Sequence, residues 1–298
     1  MKWSNTITDF SNYLLLERGM AQNTLDAYQF DLQKLASYFQ GQNLNPLQLS
    51  TTHLQQFISE WGQMGFSARS QARLVSTIRA FYKFLLLEDL LTQNPAEILE
   101  SPTIGKKLPE FLTFEEIEKI LNHIDLGSKH GHRNLAIFET LYGCGLRVSE
   151  LIELRLSDLF FKESIIRVSG KGNKQRYVPI NNHAQKQIDI YHQQIRVHLT
   201  PAKGFEDHLF LNNRGTCLTR SMIFHLVKTH SAAAGISKTV SPHTFRHSFA
   251  THLVEGGADL RSVQMLLGHE SITTTEIYTH LDASYLRDVL LDFHPRAR

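Results

Sequence analysis

The stretch LLGHESITTTEIYTHL, Leu266 to Leu281, holds one tyrosine, Tyr278, flanked by Ile277 and followed two residues on by a histidine. A phenol in that setting is either a packed aromatic or a nucleophile, and the stretch alone favours packing. Chemistry at Tyr278 needs helpers. Free tyrosine has a pKa of ~10, so at neutral pH on the order of one molecule in a thousand is phenolate. Attack on a phosphodiester would require a base, fixed cations for the charge that builds on phosphorus oxygens, and an acid for the departing sugar hydroxyl.

Each of those residue types occurs elsewhere in the chain. Ser241-Pro242-His243-Thr244-Phe245-Arg246-His247 reads as a helix start, with Ser241 as cap and Pro242 at the first helical position. His243 and Arg246, three apart, share one face, and beside the free backbone N–H groups of a helix start they make an anion site. The plainer alternative has His243 capping the helix and Arg246 paired with an acid. His243 and His247 also have the i, i+4 spacing of zinc ligands, but Thr244 stands where a metalloprotease places its glutamate, and Arg246 would crowd a cation. A second basic element is Tyr142-Gly143-Cys144-Gly145-Leu146-Arg147-Val148-Ser149-Glu150, a glycine turn before a helix. Arg147 sits among apolar residues and needs an anionic partner. Glu150 is either that partner or the group that orients Arg147 towards an external phosphate, and Cys144 is a packed thiol. Lys171 and Lys174 occupy the turn Gly170-Lys171-Gly172-Asn173-Lys174, and His269 follows Gly268, a helix stop. A lysine in such a turn is commonly a solubilising charge, and a histidine there commonly a cap. Two arginines, two histidines, a lysine and a tyrosine nevertheless supply every part of a phosphoryl transfer, with no carboxylate pair left over for magnesium.

The elements that must position these residues are mostly helices. Helical patterns cover roughly Ser4–Arg18, Asn23–Gln40, Thr51–Gln63 and Ser67–Leu87, with Asn23 and Thr51 or Thr52 as caps, which makes the first ninety residues an all-helical bundle. On the fourth, Arg69, Arg73, Arg79 and Lys83 fall within an arc of roughly 120° at 3.6 residues per turn, opposite Leu74, Val75, Ile78, Phe81, Tyr82 and Leu85. That is a basic stripe suited to tracking phosphates, or else a solvated face. Thr92–Pro109 is a linker broken by Asn94-Pro95, Ser101-Pro102 and Leu108-Pro109, with Lys106 and Lys107 in it. The division is thus residues 1–91, a linker at 92–109, and a second domain at 110–298. In the latter, helices are expected over Phe114–His123, Lys129–Tyr142, Val148–Leu154, His183–Leu199, Arg220–Ala234, Pro242–Glu255, Leu260–Leu267 and Ser284–Leu291. Ser164–Ser169 and Gln175–Ile180 form a β-hairpin around the Lys171 turn.

Bulk properties set bounds. The 298 residues suffice for two domains, and 42% hydrophobic with 20% charged residues is ordinary for a soluble globular protein. No apolar run approaches the ~18 residues of a membrane span, and Leu14-Leu15-Leu16 is cut short by Glu17 and Arg18, so it reads as a helix face rather than a signal peptide. Two cysteines, Cys144 and Cys217, suit a reducing cytosol. Net charge is +2, so affinity for a polyanion must come from where the charges lie.

Taken as an ordered set, Gly145-Leu146-Arg147-Val148-Ser149-Glu150-Leu151, Gly170-Lys171-Gly172-Asn173-Lys174, His243-x-x-Arg246-His247, Leu267-Gly268-His269 and Tyr278 nine residues later resemble the tyrosine recombinases of the Xer type. The likeness extends to Asn23-Thr24-Leu25-Asp26-Ala27-Tyr28 with Asp31-Leu32, and to His294-Pro295-Arg296. Phe245 stands where many relatives carry leucine, a conservative departure. The resemblance implies a mainly α fold: a helical-bundle DNA-binding domain and a mainly helical catalytic domain with a small β-hairpin or sheet, which together would form a C-shaped clamp around duplex DNA. It implies that Tyr278 joins the 3′-phosphate and frees a 5′-hydroxyl, that Arg147 and Arg246 clamp the non-bridging oxygens with His269, that Lys171 protonates the departing oxygen, that His243 handles the tyrosine proton, and that Glu150 supports the site. No cofactor or metal is implied. Implied partners are duplex DNA carrying a recombination site, a second Xer-type recombinase in a heterotetramer and a septal DNA translocase, in the cytoplasm and without a membrane. Arg69, Arg73, Arg79, Lys83, Lys106, Lys107 and Lys174 are the DNA-contact candidates, and the amphipathic tail Ala283–Leu291 is either a segment that docks on a neighbouring protomer, as in relatives, or a last core helix of its own domain. The Gly170–Lys174 and Gln264–Leu267 wording lies nearer the XerD branch, Thr279–Asp282 nearer XerC. Phage and integron integrases share the chemistry, and a DNA-binding architectural module would use the basic stripe but not the tyrosine.

Overall fold

The computed structural model describes residues 2–103, 105, 110–170, 175–268 and 280–297. Lys106, Lys107, Lys171, Lys174, His269 and Tyr278 lie outside the described residues. The chain divides into two compact units, Met1–Leu108 and Pro109–Arg298, each with its own apolar core.

The first unit is built from helices α1 (Trp3–Leu16), α2 (Gln22–Gln40), α3 (Thr51–Gln63) and α4 (Ala68–Leu87). Helix α1 buries Trp3, Ile7, Phe10 and Leu14, a spacing that lines one helical face. Helix α4 buries the apolar side expected of it, from Leu74 to Leu85. Rings fill the space between them. Phe81 meets Phe10 edge-on at 5.4 Å between centroids and lies parallel to Trp3 at 6.2 Å, arrangements that add to simple burial. Two expected caps move by a residue or more. Ser50, extended just before α3, accepts from the His53 N–H, so Thr51 and Thr52 lie inside the helix. Helix α2 starts at Gln22 with no side-chain cap, which leaves Asn23 in its first turn.

The basic stripe on α4 is partly spent inside the fold. Asp31 of α2 is only 2% exposed, and Arg73 lies 2.7 Å from its carboxylate while also donating to the Ala27 carbonyl. Thr77 donates to the same carboxylate at 3.2 Å. Arg79 donates to the Leu99 carbonyl, whereas Arg69 and Lys83 are exposed. Burial pushes the Asp31 carboxyl above its ordinary value, and Arg73 and Thr77 only partly offset it.

The second unit runs α5 (Phe114–Asn122), α6 (Gly131–Gly143), α7 (Val148–Ile152), strands β1 (Leu159–Phe160), β2 (Ile165–Ser169) and β3 (Gln175–Pro179), then α8 (Asn182–Gln194), α9 (Arg220–Ala233), α10 (Pro242–Glu255), α11 (Leu260–Leu267) and α12 (His280–Phe293). A Thr113–Glu116 capping box opens α5, and α6 is buried along almost its whole length, which makes it the axis of the unit. The strands form one antiparallel sheet in the order β1-β2-β3, with Ile166 opposite Val178. The expected hairpin therefore gains a third strand, too short at two residues to show a period of two. The long helix expected over His183–Leu199 stops at Gln194. It gives way to a 3-10 turn where buried Arg196 donates to the His208 and Glu206 carbonyls. Helix α12 buries Leu286, Val289 and Leu290 in the core of its own unit, against β3, α10 and α11. In the single chain, then, the tail closes on its own domain. Past it, His294 lies between the Tyr142 and Phe249 rings, and Arg296 pairs with Glu118 and Glu139. The architecture is mainly α with one small sheet, as expected. Among the described residues, no helix is long and apolar enough to cross a membrane.

Arg73→Ala strands a buried carboxylate and should lower unfolding stability by about 2–3 kcal/mol. Because the loss lifts the Asp31 carboxyl further above its unfolded value, the deficit should grow as pH rises and shrink in acid. Denaturant melts of Arg73→Ala and of Arg73→Ala with Asp31→Asn check this; equal deficits at acid and neutral pH, or no recovery in the double variant, would contradict it.

Candidate active site

The centre of the second unit is one carboxylate. Glu150, in the first turn of α7, is 1% exposed. Its Oε1 accepts from Arg147 Nη1 at 2.9 Å and from Arg176 Nη1 at 2.5 Å; its Oε2 accepts from the Arg147 backbone N–H at 2.8 Å and from Arg176 Nη2 at 3.1 Å. Arg246 Nη1 stands 3.9 Å from Oε2. Burial alone would raise the Glu150 carboxyl, but the hydrogen bonds and charge of Arg176, with those of Arg147, outweigh it and hold the group below its ordinary value.

Local sequence explains how three elements converge there. Arg147 is the N-cap residue of α7, delivered by a turn in which Gly145 adopts φ +58°. A Cβ on Gly145 would lie 2.5 Å from the Phe249 ring of α10, so that position needs glycine both for its conformation and for the contact. Ser241 caps α10 and Pro242 begins it, which sets Arg246 at the second turn; its Nη1 donates to the Gly145 carbonyl at 2.7 Å and its Nη2 to the Leu267 carbonyl. Helix α11, capped by Asp259, ends in the left-handed residue Gly268, whose carbonyl accepts from Arg147 Nη2 at 3.0 Å. Two carbonyls at the negative end of α11 thus hold the two arginines. The guanidiniums also repel one another: burial first, then Arg147 and Arg176, push the Arg246 pKa down to about 10, with Glu150 opposing, and it remains charged at neutral pH.

Three guanidiniums around one carboxylate leave a formal excess of two positive charges. A phosphodiester carries one negative charge and gains a second when an oxyanion adds to phosphorus. A cluster of that charge would balance the transition state of such a reaction better than its ground state. Arg147, 37% exposed, offers an open face, while Arg176 and Arg246 are nearly buried. Among the described residues, no group of three histidine, cysteine or acidic side chains is placed to hold a metal ion.

Residues 110–284 match the Phage integrase family, and residues 7–89 match the Phage integrase, N-terminal SAM-like domain. Tyrosine recombinase XerD of Chlorobaculum tepidum is 42% identical over 99% of this chain and 97% of that protein, and Tyrosine recombinase XerC of Anoxybacillus flavithermus is 42% identical over 98% of each. The chain belongs to the Xer-type tyrosine recombinases. It is accordingly an enzyme of site-specific DNA cleavage and rejoining. Among solved structures, a XerA recombinase is 30% identical, covering 99% of this chain and 100% of that one, with a TM-score of 0.51. A XerH site-specific recombinase bound to its difH substrate is 26% identical over 95% of this chain and 83% of that one, with a TM-score of 0.67.

Within this Xer-type recombinase, the structure brings Arg147, Glu150 and Arg246 together as a single cluster. His243 is exposed in the first turn of α10, one turn before Arg246. Cys144 is buried, as a packed thiol should be. Lys171, His269 and Tyr278 lie outside the described residues, which reach Gly170 and Gly268. Sequence reading missed Arg176 altogether. The signal was available: in Gln175–Ile180, Arg176 shares its face with Val178 and Ile180, and an arginine on a buried face demands an acid.

Gly268→Ala should cost about 1–3 kcal/mol, because alanine is strained at φ +64° and its Cβ would fall 2.7 Å from Arg176 Nε. Urea unfolding measures it, and a variant as stable as the parent would show that Arg176 gives way freely.

Proposed function

We propose that the recombinase cuts each strand by attack of Tyr278 on a phosphodiester of duplex DNA. The phenol oxygen bonds to phosphorus, the P–O5′ bond breaks, and the products are a 3′-phosphotyrosyl linkage and a free 5′-hydroxyl. Arg147 and Arg246 hold the non-bridging oxygens, with a hydrogen bond from His269. His243 takes the phenol proton and Lys171 supplies one to O5′. Because the phosphotyrosyl bond conserves the energy of the broken linkage, the 5′-hydroxyl of another strand reverses the step without ATP. Glu150 keeps Arg147 extended towards the phosphate.

The observation that carries this reading is the cluster's excess of two positive charges, left by Arg176 and the two arginines that the family motif singles out around the single carboxylate of Glu150. Charge for the transition state comes from side chains, so the chemistry should run in chelator. Exposed Arg69, Arg79 and Lys83 on α4, together with Lys106, Lys107 and Lys174, are assigned to DNA backbone contact; Arg73 serves Asp31 first. The relatives' names support a finer role. We assign the chain to the resolution of chromosome dimers at a terminus site, working in the cytoplasm with a second Xer-type recombinase in a heterotetramer and activated by a septal DNA translocase.

The test is covalent trapping. A nicked duplex, its arms selected by this protein from a randomised pool, is incubated with the full chain in EDTA. The wild type should form a protein–DNA adduct and Tyr278→Phe none, while Arg147→Ala and Arg246→Ala should each slow it by about 10²–10³. No wild-type adduct, or an equal one with Tyr278→Phe, would overturn the assignment. For the cellular role, deleting the gene should raise the fraction of cells that divide with linked chromosomes; an unchanged fraction would contradict it.

A further inference from the structure

We propose that Arg176 is a positioning residue for strand cleavage: through its two-pronged ion pair with Glu150 it fixes the carboxylate that aims Arg147 and keeps the Leu267–Gly268 turn in place. This rests on the recombinase reading above and extends it to a residue outside the family motif described here.

The geometry is specific. Both terminal nitrogens of Arg176 meet both oxygens of Glu150, at 2.5 and 3.1 Å, in the planar fork that only arginine provides. Each Glu150 oxygen is then shared with Arg147, one through its side chain and the other through its backbone N–H. Removing Arg176 would leave that carboxylate free to rotate with Arg147 alone. On its other side, the Arg176 side chain lies under Gly268, where a Cβ would approach its Nε, Cδ and Cζ to 2.7–3.0 Å. The residue thus touches both halves of the clamp, Glu150 of α7 and the end of α11. It is carried on β3, which begins at Gln175, the residue after Lys174 in the sequence. Its Nε, buried, has no hydrogen-bond partner among the described residues, so the side-chain hydrogen bonds of Arg176 there all go to Glu150.

The pairing also gives the site a pH signature. Among the described residues, the charged groups facing Glu150 are Arg147 at the start of α7, Arg176 from β3 and Arg246 from α10. Arg176 is the strongest influence that keeps the buried carboxyl ionised. Without it, Arg147 and Arg246 alone oppose desolvation, so the Glu150 carboxyl rises, and a protonated Glu150 no longer holds Arg147. Cleavage by such a variant should fall more steeply than that of the wild type as pH drops.

Single-turnover cleavage of the nicked duplex, at saturating DNA and across pH, tests this. Arg176→Met should lose roughly 10–100-fold in rate at neutral pH, as expected when a reacting group is misaimed by about an ångström, with duplex affinity within roughly threefold. It should recover part of the rate in mild alkali. Arg176→Lys, which keeps the charge but not the fork and is the safer variant for folding, should fall between Met and wild type. Arg176→Met with Glu150→Gln should lose the acid limb and be no slower than the slower single variant. The proposal is overturned by additive losses, by a loss confined to affinity, or by a rate deficit independent of pH. Failure of the wild type to form any adduct would count instead against the recombinase reading.

Discussion

An ionised carboxylate survives in a protein interior only when its lone pairs are filled and its charge is met. Glu150 satisfies that condition with four hydrogen bonds from two arginines, and a third arginine stands at the edge of contact. Everything at the site follows from the resulting imbalance. One negative charge is enough to gather three positive ones, but not to neutralise them. What remains is a cationic surface that needs an external anion, and the fold keeps it in place by lending backbone carbonyls from the Gly145 turn and the end of α11 rather than further acids. Carbonyls orient a guanidinium without cancelling its charge. A second carboxylate there would tighten the fold and weaken the site.

The rest of the unit can be understood as scaffolding for that cluster. Helix α6, buried nearly throughout, ends at the glycine turn that presents Arg147. Helix α10 supplies Arg246 and the Phe249 ring on which the turn rests, and α11 stops at a left-handed glycine that turns its last carbonyls towards both arginines. Neither glycine can be replaced without moving an atom of the cluster or its support. The buried tail, with His294 against Tyr142 and Phe249, braces the same two helices from the opposite end of the chain. Burial pushes the His294 imidazole down to about 3, so it stays neutral and acts as an apolar wedge at physiological pH.

How much of this could be read beforehand depended on the range of each interaction. Helices with a clear apolar face, such as α4, and cap signals written in adjacent residues, such as Ser241-Pro242, are local and were legible. Arg147 with Glu150 was legible as well, because the pair is three residues apart. For Arg176 the strand pattern signals only that an acid must face it; which acid was not legible, since its partner lies 26 residues away. The same holds for Arg73, which looked like a phosphate contact on α4 until Asp31, 42 positions earlier, proved to be buried beside it. A projection of one helix shows which face is basic, but not whether another helix has already claimed the charge. The end of α8 drifted for a related reason: a tertiary contact, Arg196 on the His208 carbonyl, decides where a marginal last turn stops.

The claim at the centre of this account is that the arginines act on phosphate charge. Replacing the scissile phosphodiester by a methylphosphonate, which removes one anionic oxygen, tests it most directly. Cleavage of the neutral substrate by Arg147→Ala and by Arg246→Ala, compared with wild type, should show a loss at least about tenfold smaller than on the natural linkage, because the charge to be met has gone. An equal loss on both substrates would mean that the guanidiniums serve only to hold the protein together, and the account of the site would be wrong.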